Sequence, residues 1–115
     1  MERRYRLTRS RDFDAVYRQG RSASTRTLIV HWFERDADSD PRLGLAVPKS
    51  AGSAVARNRL KRQLREIWRE LEAEVPGGRD YVLVARPGLA EPADTRGHEW
   101  LVEQVREAIG RVSAR

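Results

Sequence analysis

The chain has 115 residues, 39% of them hydrophobic, with 23 Lys+Arg against 17 Asp+Glu and a formal net charge of +6. One core is feasible at this length, the hydrophobic share is enough for a folded chain to be expected, and no apolar run nears the roughly 20 residues of a membrane span. Cys is absent, which rules out disulfides, zinc ribbons and thiol nucleophiles and fits a reducing, cytoplasmic setting.

Residues 1–7 are polar and read as a flexible arm, and no apolar stretch follows their basic charge, so no signal peptide is expected. Ser10 reads as the N-cap of a short helix over 11–19, with Asp12 and Asp14 in its first turn. Phe13, Val16 and Tyr17 give that helix one apolar face, and Gly20 stops it. Residues 27–34 (TLIVHWFE) read as a strand. Alternation puts Leu28, Val30 and Trp32 on one side and Ile29, His31 and Phe33 on the other. Both sides are bulky, so each is either covered or functional. An Asp-rich turn over 35–42 leads to a second strand at 43–47, which Pro48 ends. Asp36, Asp38 and Asp40 lack the Gly and the terminal Glu of a calcium loop.

Residues 55–75 carry the strongest helical signal, with Leu60, Leu64, Ile67, Trp68, Leu71 and Val75 at helical period. Pro76-Gly77-Gly78 terminates it, and residues 80–86 (DYVLVAR) form a third clear strand. Residues 88–96 read as loop and 97–112 as a last helix with Leu101, Val105, Ala108 and Ile109 inward. A long helix between two strands suggests a crossover packed on a sheet.

Charge is concentrated in two blocks. Residues 1–26 hold eight Arg against Glu2, Asp12 and Asp14, and residues 57–70 hold six cations against Glu66 and Glu70. Such blocks are either a footprint for polyanion or solvated faces. Turning the long helix by 100° per residue from Leu60 places the apolar set between about −20° and 80°. Asn58, Lys61, Arg62, Arg65 and Arg69 then fall between about 100° and 200°, with Arg57 toward the apolar side and Arg59 among the glutamates. Pairing with Glu66 and Glu70 would make the stripe an ordinary solvent face. Cations in the first turns oppose the helix dipole, which instead suits a bound phosphate chain. His31 and His98 have no partner at metal-ligand or acid–base spacing, so binding chemistry is visible and a catalytic set is not.

The run from Arg57 to Arg65, RNRLKRQLR, resembles the RNR signature of the bacterial ribonuclease P protein subunit family. Arg6-Leu7, Asp12-Phe13, Val16-Tyr17 and Gly20 resemble that family's opening helix. Arg42-Leu43-Gly44-Leu45 with Lys49, Gly52, Ala54 and Val55, and then residues 80–87, resemble its later blocks in the same order. The sequence departs from the family pattern at His31, Ser50 and Ser53.

The resemblance implies an α+β fold: a single αβββαβα RNA-binding domain over 1–115, like domain 2 of ribosomal protein S5, with a left-handed βαβ crossover. Its extra short strand falls near 21–24. It implies an accessory subunit of an endoribonuclease that matures the 5′ end of precursor tRNA, with the RNA subunit performing hydrolysis with bound Mg²⁺. Arg57, Asn58, Arg59, Lys61, Arg62, Arg65 and Arg69 would contact that RNA. Phe13, Tyr17, His31, Phe33 and Lys49 would line a cleft for the 5′ leader, although aromatics at i, i+4 ordinarily pack inward. The competing readings are another RNA-binding or ribosomal protein, which would lack the Phe13/Tyr17 and 80–87 blocks, and a DNA-binding regulator, for which no helix-turn-helix is visible.

Overall fold

The computed structural model describes residues 6–36 and 38–113. Helix α1 (Ser10–Gln19) is followed by strands β1 (Arg21–Ser24), β2 (Leu28–Glu34) and β3 (Arg42–Ala46). Then come α2 (Ala54–Glu70), β4 (Arg79–Ala85), α3 (Ala90–Arg96) and α4 (His98–Ser113). The four strands form one sheet in the order β1-β2-β4-β3. β1/β2 and β2/β4 are antiparallel, whereas β3/β4 is parallel. A parallel neighbour cannot be reached by a tight turn, so residues 47–78 cross over through α2.

Several local expectations change. The cap of α1 is Arg9, whose carbonyl accepts from the N–H groups of Asp12 and Phe13 at 3.0 and 3.3 Å, and Ser10 is already helical. Gly20 ends α1 at an ordinary negative φ of −87°. It is glycine for space: a Cβ there would lie 2.2 Å from the Trp32 carbonyl oxygen. α2 stops at Glu70 instead of 75, because the Leu71 N–H is shared between the Ile67 and Trp68 carbonyls at 3.0 and 3.2 Å. That sharing tightens the chain into a 3₁₀ turn at Glu72–Glu74, and Leu71 and Val75 stay buried all the same. The expected loop at 88–96 contains α3: Pro92 sits in its first turn, where a missing N–H costs nothing.

Residues 1–5 of the expected arm lie outside the described residues. Arg6 and Leu7 are not free: Arg6 bridges to Leu43, and the Leu7 N–H donates to the Leu43 carbonyl at 2.9 Å. The outer edge of β3 offers that carbonyl, and the buried Leu7 side chain joins an apolar cluster with Val16 and Val82.

Alternation along the strands divides the core. One sheet face carries Leu28, Val30, Trp32, Leu43, Tyr81 and Leu83, and packs against α2 and α4. From α2 come Leu60, Leu64, Ile67 and Trp68, the face expected from the sequence. Trp68 and Tyr81 are tilted rings 5.2 Å apart, and the Tyr81 hydroxyl donates to the Pro76 carbonyl at 2.7 Å. Fully burying such aliphatic side chains contributes roughly 1.5–3 kcal/mol each. The other sheet face carries α1 over part of its area. There Phe13 lies on Gly44: a Cβ at Gly44 would stand 2.6 Å from two atoms of the Phe13 ring. Gly44→Ala should therefore destabilise the fold by about 1–3 kcal/mol in a thermal or urea melt. Adding Phe13→Ala should make the two changes non-additive, the second costing less in the alanine background. Additive losses would show that the ring does not rest on Gly44.

Candidate RNA-binding surfaces

The cations of α2, together with Asn58, separate into three groups by what surrounds them. Ser53 caps the helix, its hydroxyl oxygen accepting from the Ala56 N–H at 3.2 Å. Asn58, Arg62 and Arg69 are exposed along the outer side. Arg57, Lys61 and Arg65 are half-buried on the flank between that side and the core. Burial, with the positive charge of Arg6 added, lowers the pKa of Arg65. The Nε atoms of Arg57 and Arg6 are buried with no hydrogen-bond partner among the described residues. Arg59 stands apart on the opposite flank, where its guanidinium pairs with Asp94 of α3 at 3.0 Å. Glu70 pairs with His98 at 3.3 Å, so Arg59 and Glu70 both find their partners outside α2. Among the described residues no ion pair joins two side chains of α2, and the i, i+4 pairing that would make the stripe an ordinary solvent face is not formed.

The second surface is the part of the outer sheet face that α1 leaves open. Register puts Ser22, His31, Val82 and Gly44 in one row across the sheet, and Ser24, Ile29, Val84 and Ala46 in the next. Tyr17 meets His31 edge-to-face, with centroids 4.9 Å apart and planes at 87°. Phe13 is 6.5 Å from Tyr17 but turned inward, packed with Phe33 against the Leu7, Val16 and Val82 cluster. Tyr17 keeps 43% of its surface exposed. The structure thus brings Phe13, Tyr17, His31 and Phe33 together and grades them from packed to open. Lys49 is exposed in a 3₁₀ turn just beyond the end of β3. Residue-by-residue reading grouped Ile29 with His31 but missed Val84 and Ala46, whose shared row needs the strand order, and Arg6, whose charge acts on Arg65 of the α2 surface.

A charge network sets where α1 lies. Asp80 is only 3% exposed, and Arg42 donates to both its oxygens at 2.8 and 2.7 Å. Arg35 adds a contact to Asp80 at 3.3 Å, and Arg42 also reaches Asp12 of α1 at 3.8 Å. The bidentate bond to Asp80 raises the pKa of Arg42.

Burial lowers the pKa of His31 below its ordinary 6.5, and raises that of Tyr17. Below that ordinary value the unfolded chain binds the proton more readily than the folded one. The contribution of His31 to stability is therefore complete above that range and lost as pH falls through it. Thermal melts from pH 7.5 to 5 should show a smaller acid loss for His31→Gln than for the unaltered chain. Parallel curves would mean that His31 is not desolvated.

The Ribonuclease P family matches residues 1–112. The ribonuclease P protein component of Geobacillus thermodenitrificans is 36% identical over 110 residues, covering 96% of this chain and 91% of that protein. That of Bacillus cereus is 36% identical over 91 residues, 79% of each chain. Among solved structures, the RNase P protein of Thermotoga maritima superposes with a TM-score of 0.82 at 30% identity, covering 92% of this chain and 96% of that one. A Staphylococcus aureus RNase P protein, a mutant with defective mRNA degradation activity, gives 0.84 at 26% identity, covering 98% and 92%. The match along nearly the whole length, with the same α+β fold, means that this chain belongs to the ribonuclease P protein family, the protein component of the ribonuclease P that acts in tRNA processing.

Proposed function

We propose that α2 binds the RNA subunit of ribonuclease P, and that the open sheet face beside α1 holds the 5′ leader of precursor tRNA. The observation that carries this is the unneutralised stripe on α2, which lacks the intrahelical pairs a mere solvent face would keep. Arg62 and Arg69 offer exposed guanidinium forks for phosphate, and Lys61 and Arg65 stand beside them, already partly desolvated. Asn58 extends the exposed row, Arg57 lies toward the buried flank, and Arg59 reaches RNA only by leaving Asp94.

On the leader side, Tyr17 and His31 present aromatic area to an unpaired base, and Ile29 and Val84 continue an apolar floor. A neutral imidazole at physiological pH suits stacking better than ion pairing. Phe13 and Phe33 pack beside this floor on the same sheet face, and Lys49 adds a cation at its end.

Hydrolysis belongs in this reading to the RNA subunit with Mg²⁺. Both protein surfaces are cationic or aromatic, a donor set unsuited to a hard cation that takes oxygen ligands. The protein's part is to crowd cations against phosphates and to fix the leader. That work is cytoplasmic, and among the described residues no helix is long and apolar enough to cross a membrane.

The deciding experiment is cleavage of precursor tRNA by a bacterial ribonuclease P RNA at low Mg²⁺, with and without the protein. The protein should lower the Mg²⁺ requirement and should cleave nothing by itself. Arg62→Ala with Arg65→Ala should weaken assembly and reduce its log–log salt slope by roughly 0.7–0.9 for every phosphate no longer neutralised. Tyr17→Ala should leave assembly intact and weaken binding of precursor tRNA, not mature tRNA, by roughly 1–3 kcal/mol. An unchanged salt slope would reduce the stripe to a solvated face. Equal losses for precursor and mature tRNA would remove the leader from the cleft.

A further inference from the structure

A third surface takes no part in either site. A groove of about 630 Å³ runs between the β1–β2 turn and the outer sides of α3 and α4. Its walls include Arg26, Thr27, Arg96, Trp100, Gln104 and Arg111. The acid in the wall is Glu107, and it is held by Arg111 at 3.5 Å. Among the described residues, Arg26 and Arg96 have no carboxylate to pair with inside the groove, and its own side chains carry a net positive charge. Glu99 and Glu103 stand on the neighbouring side of α4 and do not line it.

Trp100 gives the groove a second chemistry. Trp32 and Trp68 are each 2% exposed within the core, whereas Trp100 packs against that core from the groove wall and stays half-buried. The Arg96 guanidinium lies over its ring, 5.5 Å from the centroid, so that face already holds a cation, and a base would reach it as the guanidinium swings off the ring onto a phosphate. Gln104 adds direction: its side-chain oxygen accepts from the Thr27 hydroxyl at 2.9 Å, which turns the amide's N–H donors away from Thr27. Cations for phosphate, an indole for a base and an amide donor for a base edge converge in one groove.

We infer that this groove is a binding site for single-stranded RNA, with an unpaired base on Trp100 and phosphates on Arg26 and Arg96. A duplex would satisfy the arginines but hide the base faces that the indole needs. An acidic polypeptide would satisfy the arginines and make no use of the indole. The inference is independent of the α2 and leader-cleft assignments.

Burial of the other two indoles makes Trp100 the natural reporter. The full chain carrying Tyr17→Ala, Arg62→Ala and Arg65→Ala, which weakens the other two surfaces, is titrated with a short unstructured RNA at low salt. Tryptophan fluorescence should be quenched saturably. Binding of the same RNA, labelled and followed by anisotropy, should weaken about 5-fold or more on Trp100→Leu and less on Trp100→Phe. Arg26→Gln with Arg96→Gln, changes to side chains outside the core, should lower the log–log salt slope by about 0.7 for each phosphate released from its arginine. Should Trp100→Leu melt early, the arginine pair decides the matter. The inference falls if RNA leaves the fluorescence unchanged, if the arginine pair leaves the slope unchanged, or if polyglutamate competes as well as RNA.

Discussion

Asp80 is the residue on which the arrangement of both surfaces depends. It lies at the start of β4, nearly excluded from water, on the sheet face that α1 covers. A buried carboxylate is tolerated only with partners, and Arg42 supplies a bidentate one from directly across the β3/β4 ladder. β3 and β4 are parallel and separated by the whole crossover, so no turn sets their register. A one-residue slip would move Arg42 to the opposite face and strand Asp80 without its main partner. The pair thus specifies register where backbone hydrogen bonding alone is permissive. Through the longer contact to Asp12, the same guanidinium ties α1 to the sheet it must partly cover.

With α1 placed, the outer sheet face serves two purposes that compete. Covering it completely would build a better core, and leaving it bare would expose Val82 and Val84 to water. The chain divides the face along the length of α1. Phe13 settles over Gly44, the one position in the row where the absence of a side chain lets the helix approach closely. One turn later Tyr17 meets His31 edge-to-face and keeps 43% of its surface open. Two aromatics at i, i+4 thus differ in role because the sheet beneath them differs: glycine under the first, a planar polar ring under the second.

The readable parts of the sequence are those whose signal is local. The apolar stripe of α2, the alternation of β2 and the hydrophobic run of β4 each predict their element and the face it buries. β1 is unreadable on its own terms, because Arg-Ser-Ala-Ser has no β-branched or aromatic residue, and pairing with β2 makes it a strand. α3 is hidden by Pro92, a breaker everywhere except the first turn in which it lies. In the candidate site, alternation groups His31 with Phe33 and the helical wheel separates Arg59 from the cation stripe. That Phe13 is a support and Tyr17 the open ring depends on Gly44 and His31 beneath them. Those contacts span tens of residues, and no window of sequence contains them.

The α2 cations lead to a related point about where affinity is stored. Positive charge in the first turn of a helix opposes its dipole, a cost that Arg57 brings and the Ser53 cap offsets. Arg57, Lys61 and Arg65 are also partly withdrawn from water, with Arg6 adding like charge beside Arg65. An intrahelical carboxylate would relieve this repulsion, yet among the described residues Glu66 forms no ion pair with these cations and Glu70 is engaged by His98, while Arg59 turns to Asp94, both facing the C-terminal helices. Glu70 and Arg59 therefore help to dock α2 against α3 and α4, and the remaining cations of α2 are left with unmet electrostatic demand. A phosphate chain bound there would meet that demand without first breaking a protein ion pair, and at Arg57, Lys61 and Arg65 without stripping a full hydration shell. Cations that lower the stability of the free protein are, for the same reason, prepared to gain more from a polyanion than equally charged residues paired along an ordinary solvent face.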